Sequence, residues 1–195
     1  ISGSLFNGDV SLSEIELPET VEKIGGGAFD DCKRLKSIAI PSSVGAIGHS
    51  AFARCENLMS VSFGENSQLR SLGEYAFAGC SSLVDIKIPN GITIIERHTF
   101  DSCGFASFEI PNSVIAIKSH AFDGCSYLVD IFIPNSVREI NYCSFGSCVG
   151  LTMIEIGENV VDIEENAFYE CTKLYRIINN SALVLTIGGE DNGKI

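Results

Sequence analysis

His98, His120 and Cys143 stand two residues before Phe100, Phe122 and Phe145 at intervals of 22 and 23 residues, one near-constant period. Imidazole and thiolate at such spacing could share a soft metal such as zinc. No fourth ligand is evident, so these three are a weak metal candidate and the expectation is no metal and no cofactor. Carboxylates at Glu155, Glu158, Asp162, Glu164, Glu165 and Glu170 would suit calcium by type. They scatter over strand, turn and helix positions without a dense ligand loop, which reads as a solvated acidic face. The chain has no Gly-rich phosphate loop, no nucleophile elbow and no recurring acid and base pair. No enzymatic chemistry is expected. Asn179-Asn180-Ser181 forms an N-glycosylation sequon, meaningful only in a eukaryotic source.

Seven of the eight cysteines occupy one place in a repeat: Cys32, Cys55, Cys80, Cys103, Cys125, Cys148 and Cys171, each three residues after a phenylalanine. Equivalent positions stack as a ladder, and cysteine is among the residue types most often fully buried. The ladder thiols are therefore expected to be free, reduced and inaccessible. Cys143 stands off the ladder and is expected at the coil surface as a reactive thiol. Glu74 and Arg97, in the neighbouring column, are expected to form a surface ion pair.

The pattern that positions these side chains is a pentapeptide, mostly Ala-Phe-x-x-Cys, in seven copies from Ala28–Cys32 to Ala167–Cys171. Successive cysteines lie 23, 25, 23, 22, 23 and 23 residues apart, a period that means stacked units sharing one core. Within a unit, Ser37-Ile38-Ala39-Ile40 alternates as a half-buried strand does. Pro41 ends the strand, having no N–H for a ladder, and Ser42-Ser43 turns the chain. Val44 and Ile47 return apolar side chains to the core, and Ala51-Phe52-x-x-Cys55 closes the coil as a short helical or 3-10 turn.

Net charge is −12, from 25 acidic and 13 basic side chains, which leaves no basic stripe for nucleic acid or an anionic membrane surface. No apolar run approaches the roughly 20 residues of a membrane span, so no membrane insertion is expected in this segment. The opening Ile1-Ser2-Gly3-Ser4 has no signal-peptide character.

Leu35 to Cys55 reproduces, position for position, the string Leu-x-x-Ile-x-Ile-Pro-x-x-Val-x-x-Ile-Gly-x-x-Ala-Phe-x-x-Cys. On that string the chain resembles the BspA-type leucine-rich repeat family of bacterial and some protozoan cell surfaces. The resemblance implies an α/β-type right-handed solenoid with a parallel sheet on its concave face and short helical or 3-10 turns on the other side. It also implies an extracellular or cell-surface location and a non-enzymatic role in adhesion, with a protein or glycan of a host or neighbouring cell as partner. A rigid spacer that displays neighbouring domains is the alternative, and a monomer is expected. The array should span residues 1–179 in seven to eight coils, with 180–195 a cap or the start of a following segment. Departures are a two-residue insertion around Gly64–Gln68, a one-residue deletion at Cys103-Gly104-Phe105, and a last strand that ends in Asn179-Asn180.

Outward-facing strand residues should form two columns: Glu14, Ser37, Ser60, Asp85, Ser107, Asp130, Met153, Arg176, and Glu16, Ala39, Ser62, Lys87, Glu109, Phe132, Glu155, Ile178. The early coils are small and polar. Asp130, Phe132, Met153, Glu155, Arg176 and Ile178 lie on three adjacent strands about 4.8 Å apart and are the expected partner-binding residues.

Overall fold

The computed structural model describes residues 1–185. Thirteen short strands and no helix occur among them, and every strand pair is parallel. One column of strands follows the alternating segments: Ser37–Ile40, Ser60–Phe63, Asp85–Ile86, Asp130–Ile133, Met153–Ile156 and Arg176–Asn179. Ile38, Val61, Ile86, Ile131 and Ile154 are buried in it, while Ser37, Ala39, Asp130 and Phe132 face outward. Each proline then accepts a turn bond from the residue three later, as Val44 N–H donates to Pro41 and Val137 N–H to Pro134. The strand therefore stops where the missing N–H predicts.

A second column escapes the alternation signal. Two-residue strands at Lys23–Ile24, Ala46–Ile47, Ser71–Leu72, Ile94–Ile95, Ala116–Ile117, Glu139–Ile140 and Asp162–Ile163 pair coil to coil and bury Ile24, Ile47, Leu72, Ile95, Ile117 and Ile140. Two residues are too few for a period of two to show. Both columns break near the centre: the first into two three-stranded sheets, the second into sheets of three and four. At the gap in the first column the strand ladder shrinks to an isolated bridge, Ser107 with Asp130, beside a bond from the Val129 N–H to the Ala106 carbonyl.

The Ala-Phe-x-x-Cys segments form an arc of consecutive turns, which corrects the expected helical or 3-10 turn. In one coil, Ala28, Asp30 and Cys32 donate their N–H groups three residues back, to Gly25, Gly27 and Phe29. The interleaved residues Gly27, Phe29 and Asp31 donate to His49, Ala51 and Ala53 of the next coil. A helix would direct all these donors along its own axis. Here half go sideways, because the residues two before and two after each phenylalanine hold positive φ. Gly27 (62°), Asp31 (62°), His98 (54°), His120 (58°), Cys143 (49°) and Asn166 (58°) are examples.

Phenylalanine fills the centre. Phe6, Phe29, Phe52, Phe77, Phe100, Phe122, Phe145 and Phe168 stack with ring centroids 5.1–5.7 Å apart. Every ladder thiol donates to the carbonyl of the preceding coil's phenylalanine, at 3.1 Å from Cys55 to Phe29 and 3.3 Å from Cys103 to Phe77. All eight cysteines are unpaired thiols. Cys143 corrects the surface expectation: only 7% of it is exposed, while Cys171 in the last coil is the one partly open. Glu74 and Arg97 do not pair. Among the described residues the ion pairs between side chains are Lys33 with Asp31 and Glu56, Arg54 with Asp30, Lys118 with Glu139, and two histidine–aspartate contacts. Past Asn179, Leu183 and Leu185 pack half-buried on the core, and the rest of the expected cap, 186–195, lies outside the described residues.

Replacing Phe100 by alanine should cost about 3–5 kcal/mol, because Phe77, Phe105, Phe108 and Phe122 all lean on its ring and cannot close the cavity. Phe6→Ala, at a half-buried end coil, should cost much less in the same urea melts, and equal losses would refute a graded ladder. The thiols generate a second expectation. Burial pushes Cys55 and Cys125 from about 9 up to about 12. Above pH 9 the unfolded chain releases these protons while the folded chain keeps them. Stability must then fall as pH rises from about 9 toward 12. Removing one titrating thiol, by Cys55→Ala, should flatten that slope by about 1.4 kcal/mol per pH unit. Ellman's reagent should label the buried ladder thiols only after denaturant is added, with Cys171 the first to react.

Candidate functional site

The three strands at the C-terminal end place the six expected residues side by side. Met153 pairs in register with Asp130 and with Arg176, and Glu155 with Phe132 and with Ile178. Alternation decides what they offer: Ile131, Ile154 and Ile177 turn inward, so their neighbours must turn out. Phe132 keeps 51% of its surface exposed on the edge strand of this face, an unusual state for a large aromatic side chain. Asp130 and Arg176 are exposed, and Met153, Glu155 and Ile178 are half-buried. Glu155 is held by a bond from the Asn180 amide to its Oε1 at 3.1 Å.

Two features of this face were not read from the strand columns. Val129 (47% exposed) and Tyr175 (81%) stand one residue before their strands and extend the apolar surface. Met59 and Val84 repeat the same place on earlier coils. The signal was available: the residue after the buried leucine is apolar in most repeats, where a solvated edge would be polar. The second feature is a shallow recess of about 270 Å³ bounded by Ser107, Phe108, Glu109, Ile110, Asp130 and Phe132. It opens where the strand ladder is interrupted.

A larger polar groove, about 940 Å³, lies where two residues are inserted. Asn66, Ser67, Gln68 and Arg70 form one wall and Lys87 to Gly91 the other. Gly91 is obligatory there, since any side chain would run into the Leu69 carbonyl and the Arg70 guanidinium. Arg70 spends its Nη1 on the carbonyls of Ser67 and Leu69, which makes it a brace for the inserted loop.

His98 and His120 are brought together, with rings stacked at 4.6 Å. Cys143 follows in the next coil, but its thiol is buried and its pKa is raised by that burial. No group of three or more His, Cys, Asp or Glu side chains among the described residues is arranged to hold a metal ion. The acidic run disperses, and Glu164 turns both carboxylate oxygens to Asn141 and the Tyr142 N–H. In the sequon, the Asn179 amide nitrogen already donates to the Leu183 carbonyl at 2.8 Å. No helix of the described residues is long and apolar enough to cross a membrane.

A stack of parallel coils like this one has counterparts among solved structures. The T. pallidum leucine rich repeat protein is 28% identical, with a TM-score of 0.56 over 88% of this chain and 68% of that one. A leucine-rich repeat protein from Bacteroides ovatus is 27% identical, with a TM-score of 0.54 over 93% of this chain and 59% of that one. One from Eubacterium ventriosum, 21% identical, has a TM-score of 0.59 over 91% of this chain and 57% of its own, a likeness of fold alone. The chain thus spans well under two thirds of the last two. No curated protein matches it. The family model for the BspA type leucine rich repeat region matches in six copies, over residues 1–105 and 93–190, and the chain therefore belongs to the BspA-type leucine-rich repeat family.

Proposed function

We propose that this chain is a non-enzymatic recognition module of a cell-surface or secreted protein, and that it binds a protein or glycan of a host or neighbouring cell through the outward face of its C-terminal strands. The observation that carries the reading is Phe132, half exposed on the edge strand of a three-stranded parallel sheet with a recess at its side. Around it Met153 and Ile178 supply apolar surface, and Asp130, Glu155 and Arg176 supply both signs of charge within three strands. Interfaces concentrate their energy on aromatic and arginine anchors inside a polar rim. Leucine-rich repeat folds commonly bind proteins. A rigid spacer is the second reading. It is favoured by one core cluster that runs from Ile24 to Phe168 without a gap, so the array holds its length as a single body.

An array of matrix proteins, mucins and glycans separates the two readings, since a spacer retains none of them. For the ligand so found, Phe132→Ala or Arg176→Ala should weaken binding by about 1–3 kcal/mol, whereas Ser37→Ala and Ser60→Ala on the early coils should change it by less than about 0.5 kcal/mol. Variants that melt like the parent and bind like the parent would exclude this face. Loss of binding on the early coils alone would move the site to the polar groove.

A further inference from the structure

The polar groove beside the inserted loop is lined by Arg70 and Lys87 and by no acidic side chain. In a chain with 25 acidic and 13 basic residues that is a local reversal of charge. Glu65 and Asp85 flank the groove in sequence and Glu109 lines the smaller recess beyond Lys87, yet the ion pairs among the described residues all lie elsewhere. Arg70 is aimed by its own loop. Its Nη1 donates to the Ser67 and Leu69 carbonyls at 3.4 and 2.9 Å, which leaves the Nε–Nη2 edge, a fork that takes a carboxylate through two parallel bonds. Lys87 is exposed on the facing wall.

The rest of the lining is mainly amide and hydroxyl: Asn66, Gln68 and Asn90 with Ser67 and Thr93. Asn90 is unengaged where its counterparts are not. At the same turn position Ser42 donates to Glu19 at 3.2 Å, and Asn135 accepts from the Glu158 N–H at 2.9 Å. Asn90 makes neither bond among the described residues, because the coils part here: strand pairing in the second column stops between Ser71–Leu72 and Ile94–Ile95. The parted walls still meet at Gly91, where even a Cβ would run into the Leu69 carbonyl, so no third strand fits between them. A peptide therefore finds no sheet edge to extend in the groove.

We propose that the groove binds an oligosaccharide bearing carboxylates, uronate or sialate, with the acid on Arg70 and Lys87 and ring hydroxyls on the Asn66 and Asn90 amides. A hydroxyl both donates and accepts, and so does an amide, whereas the two cations match the acid alone. The groove shares no residue with the face around Phe132. It is thus a second site, and either reading can fail without the other.

The test is calorimetric titration of the whole, reduced chain with tetragalacturonate and with sialyllactose. Maltotetraose and lactose are their neutral counterparts, and tetraglutamate is the acidic peptide. One of the two acidic sugars, which names the source of the carboxylate, should bind at millimolar concentration or below, one per chain. It should bind about tenfold or more tighter than its neutral counterpart and than tetraglutamate, and weaken as salt is added. Lys87→Gln removes the charge and should weaken that sugar about tenfold or more. Asn90→Asp keeps the shape, puts a carboxylate between the cations, and should weaken it at least as much. Both side chains are exposed or nearly so, and both variants should melt like the parent. Lys36→Gln is the control for charge alone, since Lys36 and Arg34 share another recess without acids, whose Asn57 amide already donates to the Lys33 carbonyl at 2.6 Å. Lys36→Gln and Phe132→Ala should leave affinity unchanged. Failure of both acidic sugars to bind overturns the proposal. So does equal binding of tetraglutamate or of the neutral sugars, equal loss on Lys36→Gln, or binding that survives Lys87→Gln and Asn90→Asp.

Discussion

The carbonyl oxygen of the arc phenylalanine is the constraint on which the coil depends. In an interior coil it accepts two hydrogen bonds, one from the N–H of its own cysteine and one from the thiol of the next coil, as Phe29 does from Cys32 and Cys55. This oxygen sits in the core, where an unmet acceptor costs about 1–3 kcal/mol. A cysteine answers both needs of the position, because its sulfur packs as a small apolar group while its S–H is a donor that burial penalises little. Serine would supply the donor but bring an oxygen with two lone pairs to satisfy. The ladder is thus a hydrogen-bond column as much as an apolar one. Its cysteines are free thiols whose protons the fold uses.

A second constraint explains what stands beside it. Each arc must bend twice, and it does so with a left-handed residue on either side of the phenylalanine. Such backbone costs roughly 1–2 kcal/mol for most residues, and Gly, Asn, Asp and His accept it most readily. Gly27, Asn166 and the two histidines fit that preference, while Tyr75 and Cys143 occupy the place against it. A column that reads in sequence as convergent metal chemistry is therefore set first by conformation. The ladder spacing then stacks whatever rings occupy it, which is how two imidazoles come to lie face to face.

Register was legible from residue types alone, because a strand of four with alternating burial and a proline stop has few alternatives. Ser37 pairs with Ser60 and Glu155 with Phe132, as counting from the cysteines requires. The arc was not legible as turns, since Ala-Phe-x-x-Cys suits a helical turn equally well and the difference lies in donors that leave the coil sideways. The two-residue strands at Ala46–Ile47 and its equivalents carry too little pattern to declare themselves. Cys143 looked superficial, yet the other members of its column are themselves half-buried. Its own side chain is folded in further, so the exposure of a column did not fix that of one member.

Periodicity also says where specificity can arise. A perfect array presents the same surface at every step, and a partner has no reason to prefer one coil. This chain breaks its period at two places, and both produce a concavity. The insertion at Gly64–Gln68 raises one wall of the polar groove. The deletion at Cys103–Phe105 shortens a coil, and Phe105 and Phe108 fill its core with rings packed on Phe100 at 5.6 and 5.1 Å. Bulk thus replaces strand-ladder bonds: the segment from Ser107 to Ile110 pairs with the next strand through a single bridge. Freed from full pairing, that segment leaves the recess in which Phe132 is exposed. A strand that paired along its whole length would carry Glu109 directly beside Phe132 and close the opening. The same missing residue that weakens the stack is what makes one of its faces distinguishable from the others.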